Sequence, residues 1–138
     1  MNHILSKYCP RIDFDSYEDF LENFKIDVPA DFNFAYDVVD EWARVEPEKR
    51  ALLWCDDAGE ERVFTFTDIS KLSNRAANAF SKLGIGKGDV VMVILRRRWE
   101  YWVTAMALCK IGATIIPASL QLTKKDIEYR AESANVKM

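Results

Sequence analysis

Apolar residues repeat with a helical period in the first third of the chain. Between residues 14 and 25 they fall at i, i+3, i+4 and i+7, the spacing of one helix face, at Tyr17, Phe20, Leu21 and Phe24. A second helical pattern runs from about residue 33 to residue 45, with Asp31 or Asn33 as its candidate N-cap.

Two short segments rich in strand-forming residues come next. ALLWC (51–55) and RVFTF (62–66) are separated by DDAGEE, which supplies turn residues, so this pattern predicts a β-hairpin. Thr67 then takes the position of an N-cap for a helix over 68–83, and Gly84 is a natural stop. The buried face of this helix is predicted at Ile69, Leu72, Ala76, Phe80 and Leu83.

A continuous apolar run begins at residue 90 and lasts to residue 95. Such runs are typical of a parallel strand covered on both faces. Residues 99–111 return to the helical period, Gly112 closes that helix, and the apolar segment 113–118 follows. The order strand, helix, strand predicts a β-α-β unit with two parallel strands.

The last segment continues this alternation. Thr123 is the candidate cap of a helix over 124–133, and Val136 and Met138 resemble the first buried residues of another strand. We therefore expect the strand pattern to continue in further chain.

The predicted elements together indicate an α/β fold with an N-terminal helical segment, a β-hairpin and a parallel β-α-β unit. We divide the chain into a helical extension, residues 1–30, and an incomplete subdomain, residues 31–138.

Composition narrows the class of protein. The net charge of −3 gives no general attraction to nucleic acid or to an anionic membrane. No apolar run reaches the roughly 18 residues that a membrane-spanning helix needs, and the first residues lack the apolar core of a signal peptide. These features favour a cytoplasmic protein.

Three widely spaced cysteines, Cys9, Cys55 and Cys109, and a single histidine, His3, do not form the pattern of a zinc site. Buried or partly buried free thiols in a reducing compartment are the favoured interpretation.

The arginine run Arg96–Arg98 is the candidate for ligand chemistry, because it follows a predicted parallel strand, where ligands of open sheets bind. Guanidinium groups suit phosphate. Glu100 offers a local partner, however, and arginine stems also cover apolar surface, so ion pairs or contacts with other protein are favoured over a ligand.

Other candidate motifs favour structural roles. Gly84, Gly86 and Gly88 follow a helix and precede a strand, the reverse of a phosphate-binding loop, so they predict a helix stop and a turn. Core packing is favoured for the four tryptophans. A solvated helix face is favoured over metal binding for the acids Asp37, Asp40 and Glu41.

Four longer segments stand in a characteristic order. They are FNFAYDVVDEWA (32–43), ALLWCDDAGEERVFTFTDISKLSNRAANAFSKLGIGKGDVVMVIL (51–95), WEYWVTAMALCKIGATIIPAS (99–119) and QLTKKDIEYR (121–130). This order resembles the N-terminal part of AMP-forming acyl-CoA synthetases, and it looks closest to the medium-chain type.

The resemblance implies an enzyme that uses ATP and Mg²⁺ to convert a small or medium carboxylic acid into an acyl-adenylate and transfers the acyl group to coenzyme A. The family's phosphate loop and catalytic lysine lie in later segments, so no catalytic residue is carried over and residues 1–138 alone are expected to be inactive. One binding residue is carried over from the resemblance: in PASLQ (117–121), Gln121 is expected to contact coenzyme A.

Two alternatives stay open. The same superfamily includes enzymes for acetate or aryl acids, and a stand-alone binding or assembly module could share the fold. An unfinished parallel sheet would also leave an open edge, so self-association through that edge is a further expectation.

Overall fold

The computed structural model describes residues 3–138, which divide into two compact units between Asn33 and Phe34. The first unit contains two short helices, α1 (His3–Tyr8) and α2 (Tyr17–Asn23). Helix α2 is shorter than the predicted 14–25. It begins at Tyr17 because the Ser16 side chain caps it by accepting a hydrogen bond from the Asp19 amide, and it ends at Asn23.

The apolar stripe of α2 does not form a buried face. Every residue of α2 is at least partly exposed, and Phe20 and Phe24 pack on each other with ring centroids 4.8 Å apart. Phe14 closes this small aromatic group by an edge contact with Phe20 at 5.3 Å. The helical period was therefore read correctly, but the side chains form a local cluster at the surface.

The second unit carries the sheet elements. Its order is a π-helix (Ala35–Asp40) continuing into α3 (Glu41–Val45), then β1 (Arg50–Cys55), β2 (Glu61–Thr65), α4 (Phe66–Lys82), β3 (Val90–Val93), α5 (Glu100–Lys110), β4 (Thr114–Pro117) and α6 (Lys124–Ser133). The π-helix begins after Phe34, one residue later than the predicted cap position at Asn33, and Phe34 makes no side-chain cap.

Strands β1 and β2 form the predicted antiparallel hairpin, with Leu52 opposite Phe64. Helix α4 starts directly at the end of β2, and its cap is Thr65 instead of the predicted Thr67. The Thr65 hydroxyl accepts a hydrogen bond from the Asp68 amide while the Asp68 carboxylate accepts one from the Thr65 amide, a complete capping box. Thr67 instead donates to the Pro47 carbonyl at 2.8 Å.

Strands β3 and β4 are parallel, and Val90 to Val93 lie opposite Thr114 to Pro117. The predicted β-α-β unit is confirmed. On the other side of β3, Val136 forms a parallel bridge with Val90, and the Met92 amide donates to the Met138 carbonyl at 2.8 Å. The residues after α6 thus begin a third parallel strand, as the apolar pattern indicated.

Two apolar clusters pack around α5. One joins it to β3 and the turn before β3 through Ile85, Val91, Val93 and Leu108. The other joins it to the π-helix and α4 through Val39, Ile69 and Val103. The buried residues of α4 are Ile69, Ser73 and Ala77, so its buried face is shifted from the predicted one. Leu83, predicted to be buried, is the C-cap just past the helix and is 67% exposed.

A buried ammonium group connects the same helices. Lys110 at the end of α5 has a fully buried side chain, and its Nζ donates to the Asp40 carboxylate and the Asn74 amide oxygen, each at 2.8 Å, and to the Ser70 carbonyl at 3.4 Å. Asp40 therefore faces inward to this lysine and does not belong to the solvated face that the sequence predicted. The bonds tie the π-helix, α4 and α5 together.

Within residues 3–138, no helix combines the length and the apolar content that crossing a bilayer requires.

Candidate functional site

The carboxyl ends of β3 and β4 lie side by side and define the candidate site. Val93 is opposite Pro117, and the Ala118 amide donates to the Val93 carbonyl at 3.0 Å. The segment with the arginine run and the segment leading to Gln121 therefore leave the sheet at the same edge, where ligands of open parallel sheets bind.

The arginine loop is held by the hairpin. The Trp54 indole Nε1–H, from β1, donates to the Arg97 carbonyl at 2.7 Å, across 43 positions in sequence. The Arg98 amide also donates to the Arg96 carbonyl, which folds the loop back on itself. These bonds fix the backbone of the run while its three side chains stay exposed.

The three arginines differ in their partners. The Arg98 guanidinium donates to the Glu100 carboxylate at 2.7 and 3.1 Å, and this bond lowers the pKa of Glu100 and raises the pKa of Arg98. Within residues 3–138, the guanidiniums of Arg96 and Arg97 donate no hydrogen bond and form no ion pair. The predicted ion pair is thus present for Arg98, and two cations at this edge have no partner in the described chain.

An open cleft of about 610 Å³ lies between the hairpin and the carboxyl ends of β3 and β4. One wall is apolar and is formed by Leu52, Leu53, Val93, Leu95, Trp102 and Pro117. Arg96 and Arg97 lie along it and also line a more polar continuation that passes the hairpin turn. The cleft therefore offers apolar surface beside the arginines, and its polar end also carries the carboxylates of Asp56, Asp57 and Glu60.

Gln121 lies just outside this cleft. Ser119 lines the cleft, and its hydroxyl accepts a hydrogen bond from the backbone amide of Gln121 at 3.1 Å. The Gln121 residue is exposed, and its side-chain amide makes no hydrogen bond within residues 3–138. The side-chain amide of Gln121 is therefore available to a ligand at this edge.

The tryptophans are used in more ways than core packing. Trp99 packs against Phe64 with ring centroids 5.0 Å apart, as predicted, and Trp42 stacks on Phe66. Trp102 is 52% exposed and lines the cleft, so its prediction as a core residue is wrong. It lies one position before the buried Val103, and the helix turns it outward.

The glycine segment before β3 is a helix stop and a turn, as predicted. Gly84 and Gly88 adopt φ values of +82° and +83°, which favour glycine. The Gly86 amide donates to the Asp89 carboxylate at 2.8 Å. Lys137 Nζ also donates to this carboxylate, and these two bonds lower the pKa of Asp89, the lysine having the larger effect.

None of the three cysteines, all within residues 3–138, forms a disulfide; Cys9 is buried and Cys109 is half-buried. Cys55 is exposed at the end of β1 and lines the cleft, unlike the buried or partly buried thiol that was predicted.

The sequence analysis missed one residue that positions this edge, Trp54, and one that joins the helices behind it, Lys110. Trp54 lies near the end of a strand pattern. A half-buried indole N–H needs an acceptor, and this need could have indicated a bond such as the one that Trp54 makes to the loop. Lys110 follows Val103 and Ala107 at helical spacing, which places it on the buried face of α5. A lysine at such a position requires buried acceptors.

Comparison with known proteins gives consistent results. Residues 39–138 match the sequence model of the family described as AMP-binding enzyme. The chain is 38% identical over 130 residues to mouse mitochondrial acyl-coenzyme A synthetase ACSM3, which covers 90% of this chain and 22% of that protein. It is 40% identical over 116 residues to rat mitochondrial ACSM5, with 80% and 20% covered. The chain thus spans about a fifth of the length of these relatives.

Solved structures share the fold. The N-terminal subdomain of Klebsiella oxytoca NpsA superposes with a TM-score of 0.64 at 24% identity, covering 72% of this chain and 25% of that one. A Mycobacterium tuberculosis fatty acyl CoA synthetase superposes with a TM-score of 0.66 at 23% identity, covering 76% and 20%. These likenesses show the fold of the N-terminal subdomain of adenylate-forming enzymes.

The relatives also correct one expectation. The sequence analysis favoured a cytoplasmic location, and this is wrong, because the ACSM3 and ACSM5 relatives are mitochondrial proteins. Net charge and the lack of a signal-peptide core do not distinguish these compartments. The family match, the parallel β3–β4 pair and the order of elements agree, and the chain belongs to the AMP-binding enzyme family.

Proposed function

We propose that this chain forms the N-terminal part of a mitochondrial acyl-CoA synthetase that activates a medium-chain carboxylic acid as an acyl-adenylate and transfers it to coenzyme A. The observation that supports this most is the 38–40% identity to ACSM3 and ACSM5 over 116 to 130 residues. The overall reaction replaces a poor leaving group, hydroxide, first by AMP and then by a thiolate of coenzyme A.

The role of residues 3–138 in this enzyme is to form one edge of the coenzyme A site. Gln121 fits that role, because its exposed amide offers donors and an acceptor at the carboxyl edge of a parallel sheet. The open cleft beside it adds apolar surface for a ligand. Coenzyme A supplies the acyl-accepting thiol when bound.

The same residues do not supply an ATP phosphate loop. The glycine segment at 84–88 lies at the opposite, amino-terminal end of β3, and the Gly86 amide is used by Asp89. We propose that residues 1–138 alone form no acyl-adenylate.

The reading frame of the gene tests the proposal directly. We expect the codons after Met138 to continue in frame into a Ser/Thr/Gly-rich phosphate loop. A stop codon directly after Met138 would overturn the synthetase proposal and favour a stand-alone binding module with this fold.

Pyrophosphate release tests the inactivity of the isolated chain. Incubation of residues 1–138 with ATP, Mg²⁺, coenzyme A and acids from acetate to decanoate should give no pyrophosphate above background. Acid-dependent release would show that this segment contains a phosphate-handling site that we have not identified.

Fluorescent tagging of the protein in its own cells tests the mitochondrial location.

A further inference from the structure

Arg96 and Arg97 are two adjacent cations that form no ion pair within residues 3–138. Side by side, they repel each other, and an anion bound between them would remove this repulsion. Arg98 has such an anion in Glu100, 2.7 Å away. The other two guanidiniums have none within residues 3–138, although the sequence analysis favoured protein partners for the whole run.

The carboxylates near the cleft either accept hydrogen bonds from other groups or form none. At the hairpin turn, the Asp56 carboxylate accepts the amides of Ala58 and Glu60, each at 2.9 Å, and Glu60 pairs with Arg62. Asp57 also lines this end of the cleft but forms no ion pair with either arginine. The hairpin turn therefore forms no ion pair with Arg96 or Arg97, although its carboxylates line the same end of the cleft.

The loop that carries these cations is fixed in place. Trp54 holds the Arg97 carbonyl, and Arg62 lies over the Trp99 ring at 5.9 Å, which attaches the hairpin to the segment after the loop. A fixed backbone lowers the conformational entropy lost when a ligand binds. The arrangement is that of a pre-organised anion site.

The neighbourhood of the cations also specifies the shape of a ligand. Apolar residues, among them Leu52 and Trp102, line the cleft wall beside the arginines. The cleft leads to Ser119, next to the exposed Gln121. A free phosphate would use the arginines but not the apolar wall. A fatty acid would use the wall but offers one carboxylate to two guanidiniums.

We propose that Arg96 and Arg97 bind the phosphate groups of coenzyme A, with Trp54 as the residue that positions them. Coenzyme A joins several phosphates to a long uncharged arm, and this combination matches two free guanidiniums at the entrance of an apolar cleft that ends near Gln121. The inference rests on the proposed function for the choice of coenzyme A over other phosphate-bearing ligands.

The test is a titration of the 138-residue chain followed by two-dimensional NMR of the arginine Nε–H and backbone amide signals. Coenzyme A added to millimolar concentration should shift the signals of Arg96, Arg97 and Ala118. Pantetheine, which has the arm but no phosphate, should bind at least tenfold more weakly, since each charged hydrogen bond contributes about a factor of ten. Binding of coenzyme A should weaken as salt is added.

Variants separate the roles of the residues. Arg97→Ala and Arg96→Ala should each lower the affinity for coenzyme A about tenfold, and Arg97→Lys should lower it less. Arg75→Ala, which removes an exposed arginine from α4, should leave it unchanged. Trp54→Phe should lower the affinity a few-fold without changing its salt dependence, because the charges stay while the loop loosens.

The outcomes distinguish the inference from the proposed function. If coenzyme A shifts no arginine signal, or if Arg96→Ala and Arg97→Ala bind like the wild type, the inference is wrong, whatever the reading frame shows. If ATP binds these arginines more tightly than coenzyme A does, the choice of ligand is wrong. If the frame stops after Met138 but coenzyme A binds, the site stands and the synthetase proposal fails.

Discussion

At the scale of single residues, the Lys110 ammonium joins three helices through buried bonds. Removing one partner of a buried charged pair leaves the other without compensation, which costs far more than losing a surface pair. The four-carbon stem also fills space beside the fully buried Ala107 and Leu108.

Lys110→Ala should therefore lower the free energy of unfolding by about 3 kcal/mol. Lys124 provides the control, because its ammonium is 3.5 Å from Glu128 on the surface of α6. Lys124→Ala should change stability by less than about 0.5 kcal/mol. Urea unfolding of both variants measures the difference, and equal effects would contradict the assignment of Lys110 as a buried anchor.

The cap of α4 gives a second residue-scale prediction. Thr65→Ala should lower stability by about 1 kcal/mol, since it removes the acceptor for the Asp68 amide. Hydrogen exchange at that amide should accelerate in Thr65→Ala and stay slow in Thr65→Ser. If Thr67→Ala accelerates exchange at Asp68 instead, the cap lies where the sequence analysis first placed it.

At the scale of elements, the turn into β3 depends on an ionised carboxylate. The bonds from Lys137 and Gly86 lower the pKa of Asp89 in the folded chain. In the unfolded chain an aspartate has a pKa of about 3.9. A lowered folded pKa stabilises the fold fully above the unfolded pKa, and this contribution is lost as pH falls through the folded pKa.

Asp89→Asn should therefore be less stable than the wild type at pH 7. When the pH is lowered from 7 to 3, its free energy of unfolding should fall less than that of the wild type. Asp57→Asn is the matched control, because that carboxylate makes no hydrogen bond within residues 3–138, and it should follow the wild type. Urea midpoints at the two pH values measure this. If wild type and Asp89→Asn lose the same stability between pH 7 and pH 3, the role of Asp89 is contradicted.

The elements show what the sequence could predict. Strands β1 to β4 and helices α4 to α6 were predicted within a few residues, because continuous or periodic apolar runs and Gly stops are local signals. The shift of the cap to Thr65 was missed, since β2 passes into α4 without a loop.

The candidate site was predictable in part. Its place at the carboxyl ends of β3 and β4 follows from their parallel order, and Gln121 came from the family resemblance. The bond from Trp54 to Arg97 and the bond from Lys110 to Asp40 connect residues 43 and 70 positions apart. A local pattern can indicate that a half-buried indole or a buried lysine needs an acceptor, but it does not encode which distant residue supplies it.

At the scale of the whole molecule, the sheet of residues 3–138 has an open edge at β4. The amides of Thr114 and Ala118 donate to β3, so the backbone groups of Ile115 and Pro117 face the other side. Pro117 offers no amide there, which limits the length of strand that can pair.

Self-association through this edge remains our proposal and should be weak and dependent on concentration. Sedimentation should show dimer formation that Thr114→Lys reduces, because a charge on an edge strand opposes pairing. Asn78→Lys adds the same charge on the exposed face of α4 and should have no effect. A monodisperse monomer at all concentrations would contradict the proposal.

The central claim is that this chain supplies the N-terminal subdomain of a medium-chain acyl-CoA synthetase. The most direct measurement replaces the matching 130-residue segment of mouse ACSM3 with this chain and follows acyl-CoA formation from octanoate, ATP and coenzyme A. We predict a folded chimera that forms octanoyl-CoA, with Arg97→Ala raising the KM for coenzyme A. A chimera with the thermal stability of the parent enzyme and no activity on any acid would contradict the account.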